Sequence, residues 1–259
     1  MPKIGGLYYE TQGARRAPPV ILSSGLGGSA AYWEPNVAAL AEHFRVITYD
    51  HRGTGRSTRR LPDMVTVDDF ARDILELMDR QNIERADIVG HAAGGVAGLA
   101  LAAIAPKRLH RLIVVNGWAK PDPHFQRCFA ARLALLRHAG VEAYLRAQPL
   151  FLYPPDWISK HDAWLEAQLP HQVADFPGLA SLSKRVSALT SFRLPKEARR
   201  LEGRALVITA KDDMLVPPSA SMSLASELRG RGLVMSGGHA CNIVNADHFN
   251  TKAIEFLRS

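Results

Sequence analysis

Asp87-Ile88-Val89-Gly90-His91-Ala92-Ala93-Gly94-Gly95-Val96-Ala97-Gly98 is the stretch on which the fold turns. Ile88 and Val89 read as a strand buried on both faces. The residues from Ala93 onward are small and suit a helix packed close to a sheet. Between them there is room only for an abrupt turn. Strand, sharp turn and small-residue helix is the layout of the Gly-x-Ser-x-Gly elbow, whose strained turn lifts a serine above a sheet. Here the pentapeptide is Gly90-His91-Ala92-Ala93-Gly94, with Ala92 at the serine position. A methyl group cannot attack a carbonyl, so chemistry at this turn has to proceed without a nucleophile at position 92.

Short apolar runs on either side predict further strands at residues 7–10 (an edge strand), 19–22, 45–49, 112–115, 205–209 and 232–235. Amphipathic patterns predict helices at 32–43, 67–82, 219–228 and 246–257, with Asp68 and Asp69 favoured by the dipole in the first turn of the second. Strands alternating with helices imply right-handed crossovers and a mostly parallel central sheet flanked by helices. The alternation stops after Asn116-Gly117-Trp118. From there to about residue 195 the signals are helical (126–137, 141–147, 156–168, 179–190), interrupted by Pro149, Pro154-Pro155, Pro170 and Pro177. The reading is a single α/β domain over residues 1–259, with a helical cap at about 119–195 inserted between sheet strands. Its expected place is over the carboxyl edge, where ligands bind in open α/β sheets.

The bulk numbers exclude several functions. At 259 residues and 47% hydrophobic, the chain can bury a large core. Its net charge of +7 is scattered over helix faces and loops with no nucleic-acid-binding motif, so a nucleic-acid partner is not expected. Diffuse positive charge suits a small anionic substrate. Cys128 and Cys241 are too few and too far apart for a disulfide framework or a zinc site. Residues 1–6 lack the apolar core of a signal peptide, and the small-apolar run at 96–105 is too short to span a bilayer. The expectation is a cytoplasmic protein with no membrane partner, no metal and no cofactor, and a homodimer as the assembly.

Other loops extend the pattern. Ser24-Gly25-Leu26-Gly27-Gly28 follows a strand but lacks the Lys and Ser/Thr of a phosphate-binding loop. Its other use is to aim a backbone N–H at a developing oxyanion. Asp213 lies three residues past the end of a strand, with Asp212 as a neighbouring competitor. His239 lies in the glycine-rich turn Ser236-Gly237-Gly238-His239-Ala240-Cys241-Asn242. Elbow, acid and histidine come in the triad order of the α/β-hydrolase fold. With Asp50-His51-Arg52-Gly53-Thr54-Gly55-Arg56-Ser57, which resembles that superfamily's D-x-R-G-x-G-x-S loop, the resemblance covers nearly the whole chain. It implies that Asp213 orients and supports a catalytic His239, and that the N–H groups of Leu26 and Ala93 form an oxyanion hole. His91 would have a supporting role only.

A narrower resemblance rests on Ala92, Val115-Asn116-Gly117-Trp118, Arg127-Cys128-Phe129, Ala147-Gln148-Pro149-Leu150-Phe151-Leu152-Tyr153-Pro154 and Gly237-Gly238-His239-Ala240-Cys241-Asn242. These segments are similar to the D-protein family of the bacterial pyrimidine-utilisation (Rut) pathway, assigned as aminoacrylate hydrolases and later as carbamate hydrolases. The resemblance makes the elbow alanine a family trait. It implies a hydrolase of uracil catabolism acting on C–N bonds, breaking carbamate into ammonia and carbon dioxide without an acyl-enzyme. The alternatives are an aminoacrylate imine hydrolase releasing malonic semialdehyde, and a non-catalytic binding protein that keeps the fold. Asn116, Arg127 and Gln148 are candidates for orienting a small carboxylate, Arg127 for its bidentate geometry, although each also suits an ordinary structural role. Trp118, Phe151 and Tyr153 read as cap core. Cys241, two residues from His239, is the other thinkable nucleophile, but the histidine loop is the wrong place for one.

Overall fold

Val20, Leu22, Val89, Ile113, Val115 and Ile208 face one side of the sheet, while Ile21, Ile88, Leu112, Val114 and Val207 face the other. This alternation is the two-residue period of strands that bury both faces. In the computed structural model, which describes residues 3–259, the strands are β1 (Lys3–Ile4), β2 (Leu7–Gln12), β3 (Pro19–Ser23), β4 (Arg45–Tyr49), β5 (Ala86–His91), β6 (Leu109–Val115), β7 (Ala205–Ala210) and β8 (Arg231–Met235). They form one sheet in the order β1-β2-β4-β3-β5-β6-β7-β8. β1, β2 and β4 pair antiparallel, and every other neighbouring pair is parallel. The reading of the first residues as free of a targeting segment falls partly on Met1 and Pro2, outside the described residues.

The helices are α1 (Glu34–Ala41), α2 (Val67–Arg80), α3 (Ala93–Ile104), α4 (Pro123–Leu152), α5 (Pro155–Ala174), α6 (Leu179–Ser191), α7 (Pro218–Glu227), α8 (Cys241–Val244) and α9 (Ala246–Arg258). α1 and α9 cover one face of the sheet through Leu40, Phe249, Ala253 and Phe256. α2 and α3 cover the other. α2 starts with a capping box between Thr66 and Asp69, and Asn82, in the left-handed region at φ 52°, stops it.

α4, α5 and α6 fill the connection between β6 and β7. The sequence places breaks at each proline there, and the structure corrects two of them: Pro149 lies inside α4 and Pro170 inside α5. A proline removes only its own N–H, and the chain beyond Pro149 resumes helical bonding, with Tyr153 N–H donating to Pro149 O at 2.9 Å. The real break in α4 is Gly140, at φ 88° and ψ −178°, where the helix turns back on itself. These helices reach the carboxyl ends of the strands. Leu152 O accepts the Ala240 N–H at 2.9 Å, and Arg185 of α6 donates to Leu26 O at 3.0 Å. No described helix is long and apolar enough to cross a membrane.

Candidate active site

The turn after β5 is as tight as its sequence requires. A Cβ on Gly94 would lie 2.0 Å from Ser23 O, and one on Gly90 would lie 2.4 Å from Gly94 C, so both positions exclude every side chain. Helix α3 therefore starts directly against β3. Ala92 carries the bend at φ 45° and ψ −103°, a conformation that costs an alanine about 1–3 kcal/mol. Ala93 is the first residue of α3, so its N–H has no partner within the helix. After β3, Gly25 O accepts the Gly28 N–H at 3.0 Å. The trans peptide then turns the Leu26 N–H the opposite way. Both backbone donors sit at the carboxyl edge of the sheet, where two adjacent parallel strands end.

The loops after β7 and β8 bring Asp213 and His239 together. Asp213 Oδ2 accepts from His239 Nδ1 at 2.8 Å, while Asp213 Oδ1 accepts the Leu215 and Val216 N–H groups at 2.7 and 3.0 Å. The carboxylate is thus fixed by its own turn before it meets the ring. With Nδ1–H donating to Asp213, His239 Nε2 is left for proton exchange. Asp212 takes neither role: its carboxylate accepts the Gly237 N–H at 3.0 Å and holds the histidine loop in place.

His239 is only 2% exposed, and its backbone is anchored as firmly as its ring. Its carbonyl accepts from His91 Nε2 and from Asn116 Nδ2, both at 2.8 Å. His91 therefore carries its proton on Nε2, stacks on Tyr32 at 4.7 Å, and is held well below the usual histidine range by burial and then by His239. Asn116, at φ 51°, also accepts the Ala210 N–H on Oδ1 at 3.0 Å. Its amide is used on both sides, so it ties the ends of β6 and β7 to the histidine loop and is not aimed at a ligand. Gln148 is likewise engaged, accepting from Arg132 and donating to Tyr144 O at 2.9 Å. Arg127 is exposed on α4. Cys241 is fully buried at the start of α8, and burial pushes its thiol up to about 12. It stays protonated and is no nucleophile.

Two arginines escaped the sequence reading. Arg185, fully buried, donates to Leu26 O, to Arg52 O at 3.1 Å and to His51 Nδ1 at 2.9 Å. Burial lowers it to about 10, so it keeps its charge at neutral pH. Arg132 lies within the fold of α4, 5% exposed. Both interrupt apolar stripes: Leu182, Val186 and Leu189 surround the first, and Phe125, Cys128, Phe129 and Leu136 surround the second. A cation inside a helix's apolar stripe was the available signal.

Fold and site together define an α/β hydrolase. The family model for the α/β hydrolase fold matches residues 18–144. The enol-lactonase from Burkholderia xenovorans superposes at a TM-score of 0.87 with 30% identity, over 99% of this chain and 98% of its own. A hydrolase from Pseudomonas aeruginosa gives 0.84 and 27%, over 98% and 94%. Among proteins named "Putative carbamate hydrolase RutD", that of Caulobacter segnis is 48% identical over 98% of this chain and 97% of its own. That of Rhizobium rhizogenes is 44% identical over 98% of each. The chain belongs to this RutD family of α/β hydrolases.

Proposed function

We propose that the protein accelerates the breakdown of carbamate to ammonia and carbon dioxide, without a covalent intermediate. The observation that carries this is the ordered Asp213–His239 pair beside an elbow whose Ala92 offers no nucleophile. A site kept in this order still moves protons and stabilises negative oxygen, and carbamate needs only that. His239 starts the step as an imidazolium, with Nδ1–H on Asp213, and gives its second proton, on Nε2, to the carbamate nitrogen. The C–N bond then breaks with its electron pair going to nitrogen, and ammonia and carbon dioxide leave. His239 recovers a proton from solvent. The N–H groups of Leu26 and Ala93 hold a carboxylate oxygen throughout. Helices α4 to α6 serve as the cap that keeps bulk water from this step, a reading supported by the Leu152–Ala240 and Arg185–Leu26 hydrogen bonds.

The test is rapid-mixing measurement of ammonia and carbon dioxide release, because carbamate also decays unaided. His239→Ala is expected to lose about 100-fold or more of the acceleration, the scale of general acid catalysis. A variant as fast as wild type would remove the proposal. Ammonia release from aminoacrylate, with a carbonyl product and no carbon dioxide, would instead assign imine hydrolysis by water activated at His239.

A further inference from the structure

The sharp turn at Gly140 folds the second half of α4 against the first and encloses Arg132. Its guanidinium lies 5.0 Å from the Phe129 ring centroid, 5.3 Å from Phe151 and 5.9 Å from Tyr144. Nη2 donates to Tyr144 Oη at 3.4 Å and to Gln148 Oε1, both uncharged acceptors. Nε and Nη1 are buried without a hydrogen-bond partner among the described residues. Arg185 gives a contrast within the same chain, since each of its three nitrogens meets an acceptor. A brace between two helix halves needs no charge, and a buried guanidinium with idle donors is costly unless an anion completes it.

The surroundings of Arg132 indicate which anion. One turn earlier on the same helix face, Cys128 Sγ lies 3.6 Å from Met214 O, next to Asp213. On the other limb of α4, Phe151 precedes Leu152, whose carbonyl accepts the Ala240 N–H next to His239. Both limbs that enclose the guanidinium therefore touch residues that adjoin Asp213 and His239 in the chain. We infer that Arg132 binds the carboxylate of the substrate through its unpaired N–H groups and selects small acids over their uncharged analogues. Arg127, the arginine favoured by sequence, lies five positions earlier on the exposed side of the helix. The inference rests on the reading of this site as one for a small anionic substrate. It adds the residue that supplies the counter-charge. Nε and Nη1 lie on different edges of the guanidinium, so each offers a carboxylate one charge-assisted hydrogen bond. Aromatic walls keep water from competing, and an amide in the same place would leave the cation unpaired.

Two acids fit this chemistry, carbamate itself and a three-carbon acid whose reacting carbon lies beyond the carboxylate. Titration calorimetry with acetate, the size of carbamate, and with propionate separates them, with acetamide as the uncharged control. Wild type is expected to bind one of the acids at least about tenfold more tightly than acetamide. The acid bound more tightly gives the substrate length. Arg132→Gln is expected to lose about tenfold or more. Arg132→Lys, which keeps charge and stem but not the guanidinium donors, should retain part of the binding, and it decides the matter if the glutamine variant fails to fold. Arg127→Gln, on the exposed side of the same helix, should bind as wild type does. Binding unchanged in both arginine variants, or no preference for acid over amide in wild type, overturns the inference. Because binding is read without turnover, failure of the carbamate proposal and failure of the Arg132 anchor give different results.

Discussion

Ala92 sits where a serine would otherwise define the chemistry, in a backbone conformation that disfavours any residue but glycine. The strain persists because Gly90 and Gly94 let α3 start against β3, so the bend is imposed by packing on both sides. A serine adds one oxygen to the same Cβ and no further backbone strain. Ala92→Ser should therefore fold, and its Oγ should meet a histidine already held by Asp213 at 2.8 Å. A gain of at least about tenfold in hydrolysis of p-nitrophenyl acetate over wild type is expected, because an activated nucleophile opens an acyl-enzyme route. A folded variant with no gain would mean that His239 Nε2 does not face the elbow. At the same scale, Asn116 shows why residue type alone misleads. Its amide suits a carboxylate ligand, yet its position at φ 51° commits both ends to backbone partners.

At the scale of elements, α6 is joined to the catalytic edge by one side chain. Arg185 donates to Leu26 O through Nε and Nη2, at 3.3 and 3.0 Å, and so fixes the loop that follows β3. It also accounts for His51, which accepts from Arg185 on Nδ1 and so carries its proton on Nε2, facing Ser23 Oγ at 3.2 Å. Arg185→Leu would leave three acceptors without a donor, His51 Nδ1 buried and the Leu26 and Arg52 carbonyls half-buried. A loss of about 3 kcal/mol or more in urea unfolding is expected, at roughly 1–3 kcal/mol for each group stranded. Arg185→Lys should lose much of the same, since an ammonium on a single stem cannot reach all three acceptors. A lysine variant as stable as wild type would reduce Arg185 to a simple charge.

Over the whole molecule, buried histidines set the acid limit. Burial holds both His51 and His91 well below 6.5, with Arg185 adding to the effect at His51 and His239 at His91. The unfolded chain takes up their protons near 6.5 and the folded chain does not, so their contribution is complete above 6.5 and is lost as pH falls. Asp73 works in the opposite direction. Burial raises it to about 6 despite Arg52, so below that pH the folded state binds its proton first. Against the two histidines stand Asp73 and Asp87, which burial also raises, so stability is lost at no more than about 1.4 kcal/mol per pH unit between roughly 6 and 5. Denaturant unfolding across that range checks it, and Asp73→Asn should steepen the slope. Stability that is flat from pH 6.5 to 5 would contradict the assignment.

The strands from β2 onward, the sharp turn after β5 and the placing of Asp213 and His239 just past strand ends were legible in the sequence. Each depends on short local signals: an apolar run, a glycine spacing, a residue placed just past a strand end. Tertiary structure decided what those signals could not. It separated Asp213 from Asp212 by which carboxylate meets the ring and which meets the Gly237 N–H. It kept the break expected between residues 137 and 141, at Gly140, and removed the one expected at Pro149, because a helix tolerates one missing N–H more readily than a residue held at φ 88°. It withdrew Asn116 and Gln148 into internal hydrogen bonds and left Arg127 on the surface, putting Arg132 and Arg185 at the interior in their place. The reason is physical: a polar side chain's role depends on whether its partners are already taken. Those partners lie as many as 159 residues away, as in the pairing of Arg185 with Leu26, beyond the reach of any local pattern.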